Sequence, residues 1–417
     1  MTRNYKHTQE QEINKYLSPS ELNMWEKSKK DKSPDKKMSD EEINTKYESG
    51  NSRILMEFNR EKLPLFVEAL TKPGYMNLRP FFQRRPRWKP EQQSLLIESF
   101  IINLPVPPVI LYEKKYNSYE VIDGQQRISV LRDFYEDKLI LTGLQLWPEL
   151  NGRKYSNLPT EIQAGIDRRT LSSIVVITES AKTVEHAMYL KRLTFERLNT
   201  GGVELSNQEI RNCLYHGQFN DSLIELADDP TFKNAWGIPD SDRNDPAQEK
   251  EEEKNNLYMK MEDVELILRF FALRHYENFK GNLENFMDLY MIKSLDFSQE
   301  DTAFLKSIFK QTINIAYDIY GGHLFRPYIL NKSKKNWDWA DRPYKAYDDA
   351  VMVAFSKNLP NAQILKQRKN QVIEATQELL KSDKSELFRG RGNNTKADIQ
   401  KRLNLFEGML SQVIMSK

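Results

Sequence analysis

Between residues 109 and 135 the apolar pattern changes period within a few positions, and this constrains the local fold more than any other feature of the chain. Val109-Ile-Leu-Tyr112 and then Tyr119, Val121 and Ile122 are β-branched, aliphatic and aromatic residues suited to strands. Ile128, Val130, Leu131 and Phe134 recur at helical spacing. The residues at the change are Asp123-Gly-Gln-Gln-Arg127. The spacing predicts strand, turn and helix in that order, with the helix beginning near Gln125. Gly124 can adopt a backbone conformation that a residue with a Cβ resists. The first N–H groups of a helix have no intrahelical partner and point outward, so an anion is the natural occupant above such a turn.

The side chains of the turn fit a phosphate. Arg127 supplies a planar, permanently charged fork, and Gln125 and Gln126 offer donors and acceptors. Asp123 would be repelled by a phosphate unless it holds a metal ion, accepts from a ribose hydroxyl, or orients Arg127 or a water molecule. A purely structural reading stands beside this one: Asp123 caps the helix and pairs with Arg127.

Two further segments accompany the turn. Upstream, Phe81-Phe-Gln-Arg-Arg-Pro-Arg-Trp88 leads into a Pro90-initiated segment with Leu96, Phe100 and Leu104 on one face, which Pro105, Pro107 and Pro108 end. Downstream, Phe195-Glu-Arg-Leu-Asn-Thr-Gly-Gly202 stops an amphipathic helix over 183–198, and Ser206 with Glu209 has capping-box spacing for the next. Gly201 and Gly202 explain that stop without a ligand, whereas a functional reading has Asn199 reaching a base or ribose and Arg197 or Arg211 a phosphate. Helix 63–70, a short strand at 75–78 and a buried strand at 173–178 complete the expected elements of this half.

Together the three motifs resemble the N-terminal domain of GmrSD-type modification-dependent restriction enzymes, the domain of unknown function 262. Phe82, Gln83, Arg84 and Trp88 meet its first motif, Asp123 to Arg127 its DGQQR box, and Phe195 to Arg211 its third, across roughly residues 50 to 215. The resemblance implies an α+β fold of ParB/sulfiredoxin type. It also implies a nucleoside triphosphate site at the box, held by Arg84, Gly124, Gln125, Gln126, Arg127 and Asn199. Asp123 and Arg127 are then the expected catalytic residues, with Asp123 positioning Mg²⁺ or the attacking water. The expected role is a nucleotide-binding, NTP-hydrolysing sensor or regulator in a bacterial restriction or anti-phage system, with DNA and a separate nuclease or ATPase subunit as partners. The alternatives are a DNA-binding module without catalysis, using the basic strip from Arg79 to Lys89 and the loop near Arg389, and a subunit of a multi-protein nuclease. In relatives an HNH nuclease domain usually cuts DNA. The five histidines here, His7, His186, His216, His275 and His323, form no legible HNH cluster.

Composition sets the limits. At 417 residues, 39% hydrophobic and 29% charged, the chain has the length and balance of two soluble domains, and a net charge of +2 selects no partner. The single cysteine, Cys213, excludes an intrachain disulfide, a Cys-rich zinc site and sulfiredoxin-like thiol chemistry. No apolar run approaches the roughly 20 residues that span a bilayer, so a cytoplasmic location is expected. The expected organisation is a polar, mobile or loosely docked arm over 1–45, with Trp25 and Tyr47 as candidate anchors, and the DGQQR-box domain over 46–238. An acidic linker or loop over 239–256 and an all-helical domain over 257–417 follow. Asp338, Asp341, Asp348 and Asp349 cluster in sequence near Trp337, and capping and ion pairing account for them without a metal.

Overall fold

A computed structural model describes residues 17–25, 39–48, 55–77, 88–177, 184–198, 206–239, 256–331, 335–389 and 395–416. The chain divides into two compact units, one of residues 35–205 and the other of residues 206–417 together with 1–34. The division falls ahead of the acidic stretch at 239–256. In chain order, α1 (Pro19–Asn23) belongs to the second unit and α2 (Asp40–Glu48) to the first.

The first unit is built on a mixed sheet. Its elements are β1 (Leu55–Lys62), α3 (Leu63–Leu70), β2 (Met76–Asn77), α4 (Pro90–Ile101), β3 (Val109–Lys115), β4 (Ser118–Asp123), α5 (Gln125–Tyr135), α6 (Thr160–Asp167), β5 (Thr170–Ile177) and α7 (Val184–Leu198). The strand order is β1-β5-β3-β4-β2, antiparallel at β1/β5 and β3/β4 and parallel at β5/β3 and β4/β2. Val109 to Tyr112 are all buried, as a central strand covered on both faces requires. Val109, Leu111, Leu171 and Val175 pack with Phe66, Ile97, Phe100, Ile128, Leu131 and Phe134 from α3, α4 and α5. On the opposite face α7 packs across β4. The Pro90 helix ends at Ile101, so Leu104 lies beyond it and is exposed. Glu98, buried on α4, accepts from the N–H groups of Gln145, Leu146 and Trp147 and fixes the long loop after α5.

The second unit comprises α1, α8 (Asn207–Leu214), α9 (Gln218–Ala227), α10 (Pro230–Trp236), α11 (Asn256–Met259), α12 (Glu262–Leu273), α13 (Leu283–Lys293) and α14 (Gln299–Tyr320). After these come β6 (Tyr328–Asn331), β7 (Asn336–Trp339), α15 (Lys345–Lys357), α16 (Ala362–Gln367), α17 (Lys369–Lys381) and α18 (Lys396–Met415). The fold is thus α+β, but the expected all-helical second half is corrected: β6 and β7 form an antiparallel hairpin. Its cause is an aromatic row, with Tyr328 stacked on Trp337 and set edge-on to Trp339, which in turn meets Tyr320 of α14. Asp349 on α15 binds Arg269 of α12 through two hydrogen bonds of 3.0 and 2.6 Å and Arg402 of α18 at 2.6 Å, tying three helices together.

Within the polar region 1–45 the structure places a buried anchor. Ser18 and Glu21 form a capping box, Glu21 is fully buried, and Trp25 stacks on Phe286. Tyr47, the other candidate anchor, is exposed. Among the described residues no helix is long and apolar enough to cross a membrane.

Candidate functional site

The strand β4 ends at Asp123 and α5 begins at Gln125, so the DGQQR box occupies the predicted strand-to-helix turn. Gly124 has φ +96°, in the left-handed region. A Cβ there would lie 2.5 Å from Val109 Cγ1 and 3.0 Å from Arg127 Nη2, so glycine is required both by backbone conformation and by space. No side chain caps α5.

Asp123 and Arg127 form a pair within the turn. Arg127 Nη2 donates to Asp123 Oδ2 at 3.0 Å and to the Pro108 carbonyl at 3.3 Å, while Asp123 Oδ1 accepts from Gly124 N–H at 2.7 Å. The Arg127 side chain is largely buried and that of Asp123 about one-third exposed. The geometry therefore contains the pairing foreseen in the structural reading. It does not contain the cap, because Gly124 and not Asp123 holds the N-cap position. Two donors of the box, Arg127 Nε and Gln126 Nε2, are enclosed with no hydrogen-bond partner among the described residues. An enclosed donor left without a partner costs about 1–3 kcal/mol, which an ordered water or a ligand relieves.

Sequence reasoning missed the ion pair behind the box. Glu120 on β4 binds Lys191 of α7, and Lys114 lies 3.5 Å from the same carboxylate. Lys191 is almost fully buried, with its Nζ 4.4 Å from the centroid of the Tyr112 ring. The pair fixes α7 to the strand that carries Asp123. The local signal was slight: a lysine next to Leu190 on the buried side of an amphipathic helix.

The structure does not bring all expected site residues together. Arg84, Phe82 and the rest of the basic strip over 79–87 lie outside the described residues, as do Asn199 and the Gly201-Gly202 turn. Trp88 is half-buried against the hydrophobic core. Arg197 is exposed. Arg211, considered above for a phosphate, is buried in the second unit, where it donates to Asp288 at 2.7 Å and Glu265 at 2.9 Å. That role is corrected to a structural one, since its fork is already matched by two carboxylates. Arg389 is paired with Glu386 at 2.7 Å.

No group of three metal-capable side chains occurs among the described residues. Asp123 is engaged by Gly124 and Arg127, and Glu120 by two lysines. These residues do not make a resident Mg²⁺ site, although one carboxylate suffices for Mg²⁺ that arrives on a triphosphate and keeps its waters. Near Trp337, Asp349 is neutralised by Arg269 and Arg402, so the Asp-rich segment is structural there.

Comparison with known families bears on the turn. Residues 67–216 match the family model of the GmrSD restriction endonuclease N-terminal domain. Across residues 67–216 the chain is similar to a GmrSD-type N-terminal domain. No curated protein and no solved structure matches it significantly. The GmrSD-type match begins within α3 and ends just after α8, so it includes the DGQQR box, the Glu120–Lys191 pair and Arg211.

Proposed function

We propose that the GmrSD-type domain binds a nucleoside triphosphate at the Asp123–Arg127 turn, in a ParB/sulfiredoxin-like setting. Binding and hydrolysis would regulate a component of a restriction or anti-phage system that acts on foreign DNA. The observation that supports this reading best is the concentration of donors in one turn: an uncapped helix start behind a left-handed glycine, with Arg127 Nε and Gln126 Nε2 enclosed and unsatisfied. Phosphate oxygens are the complement of such a turn.

In this reading the Asp123–Arg127 pair holds the guanidinium until a triphosphate competes for it. Arg127 then stabilises phosphate charge, and the carboxylate it releases can orient a water molecule. Mg²⁺ brought with the nucleotide would neutralise phosphate charge. Arg84 and Asn199 belong to the reading through the family resemblance alone.

The test is NTP binding and turnover with Mg²⁺, with and without duplex DNA, for the wild type, Asp123→Ala and Arg127→Ala. Arg127→Ala is expected to weaken nucleotide binding by about ten- to a hundredfold, the worth of a charge-assisted contact. Asp123→Ala should retain binding and lose turnover. Absence of NTP binding in the wild type, with DNA bound equally by all three proteins, would refute the nucleotide reading and leave a DNA-binding module.

A further inference from the structure

β1 is an edge strand, paired on one side by β5 and, among the described residues, on the other side by nothing. Seven of its eight residues are exposed. These include Leu55 at 52%, Met56 at 47% and Phe58 at 76% exposure. Neither proline nor a bulge interrupts its register with β5. Met56 faces Val176, which faces Tyr112, and Phe58 faces Ile174, which faces Ile110. Two apolar rows thus run across three strands and end uncovered at the edge. Long exposed edges with apolar side chains are templates for further pairing.

The geometry points to a second copy of this chain as the occupant, joined by antiparallel β1–β1 pairing about a two-fold axis at Phe58. Symmetry restricts the register. The axis must stand perpendicular to the sheet, and residues facing each other across it share a face, so it has to pass through a residue position. An axis at Glu57, Arg60, Glu61 or Lys62 would set identical charges against each other. At Asn59 it would oppose Glu57 and Glu61 twice, which is unfavourable. At Leu55 or Met56 it would leave most of the strand unpaired. At Phe58 the facing pairs are Phe58–Phe58, Glu57–Asn59, Met56–Arg60 and Leu55–Glu61, with no like charges opposed. The two aromatic rings then meet, and the Ile110–Ile174–Phe58 row continues into its symmetry mate. Arg60 is compatible, because its Nε is turned back to Thr170 Oγ1 at 2.6 Å and leaves its apolar stem toward Met56.

One strand pair is a small interface beside the roughly 1,200–2,000 Å² of stable complexes, so the dimer is expected to dissociate on dilution. The experiment is sedimentation over a concentration series for the wild type and Phe58→Arg, with circular dichroism as the check on folding. Oxidative cross-linking of Phe58→Cys and Asn59→Cys, both in a Cys213→Ser background, tests the register. Facing residues of an antiparallel pair lie within disulfide reach, so Phe58→Cys should give a covalent dimer. Asn59→Cys, which faces Glu57 of the other copy, should not. Phe58→Arg should raise the dissociation constant by at least about tenfold. A wild type that stays monomeric throughout the series, a dimer indifferent to Phe58→Arg, or equal cross-linking at both positions would overturn the proposal.

Discussion

Two residues carry disproportionate weight. Gly124 is held at φ +96° against Val109, so Gly124→Ala combines left-handed backbone strain with a contact of 2.5 Å. A loss of about 2 kcal/mol or more is expected in urea unfolding, together with weakened NTP binding even where the fold survives. Glu21 is the second. Burial alone would raise its pKa, but the Arg274 guanidinium, His275 Nε2 at 2.9 Å and the Ser18 N–H outweigh burial and hold it down at about 2. A carboxylate with a depressed folded-state pKa contributes stability above its ordinary value of 4.5 and loses it as the pH falls toward 2. The contribution is roughly 3 kcal/mol. Urea unfolding across that window should show the loss in the wild type and little of it in Glu21→Gln, which should be less stable than wild type at neutral pH.

Among the elements, α15 sets two adjacent aspartates in opposite electrostatic surroundings. Asp349 is kept ionised: Arg269 and Arg402 overcome the cost of burial and lower its pKa. Asp348 is buried beside that charge, and burial followed by the Asp349 carboxylate raises its pKa well above normal. Its contribution is therefore full below the ordinary aspartate pKa and falls as the pH rises through the folded-state value. Asp348→Asn should unfold at higher urea than the wild type at mildly alkaline pH, with the difference shrinking on acidification; no gain at alkaline pH would contradict the assignment. This pairing was not legible in the sequence, because Arg269 and Arg402 lie 80 and 53 residues from Asp349 and no local period connects them. The same limit hid the Glu120–Lys191 pair, whose partners are 71 residues apart. The DGQQR turn was legible because its signal is local: the period changes from strand to helix around a glycine. β1 was missed for the converse reason, since Leu-Met-Glu-Phe-Asn-Arg-Glu-Lys is exposed on both faces and shows no alternation. The β6–β7 hairpin was not legible because its strands are four residues each, too short to show a period, and it is held by the packing of Tyr328 with Trp337 and Trp339 across it.

At the scale of the whole molecule, the second unit is closed by a segment distant in sequence. Residues 17–25 belong with 206–417, and the contacts are not superficial. Glu21 accepts from Arg274, His275 and Tyr290, Ser20 Oγ donates to Asp301 at 2.6 Å, and Trp25 stacks on Phe286. Without Glu21, Arg274 loses the buried carboxylate it meets at 3.3 Å, and the Tyr290 hydroxyl loses its acceptor. Breaking a buried pair by removing one partner costs about 3–5 kcal/mol, a large part of the stability of an ordinary domain. A chain lacking residues 1–34 is therefore expected to melt at a lower temperature, and its second unit should become sensitive to limited proteolysis while the sheet unit retains its resistance. Glu21→Ala in the full chain should reproduce most of the effect, because the charge and not the length of the segment is what α12 and α13 require. Unchanged melting and proteolysis in both proteins would show that the segment only rests on the helical unit.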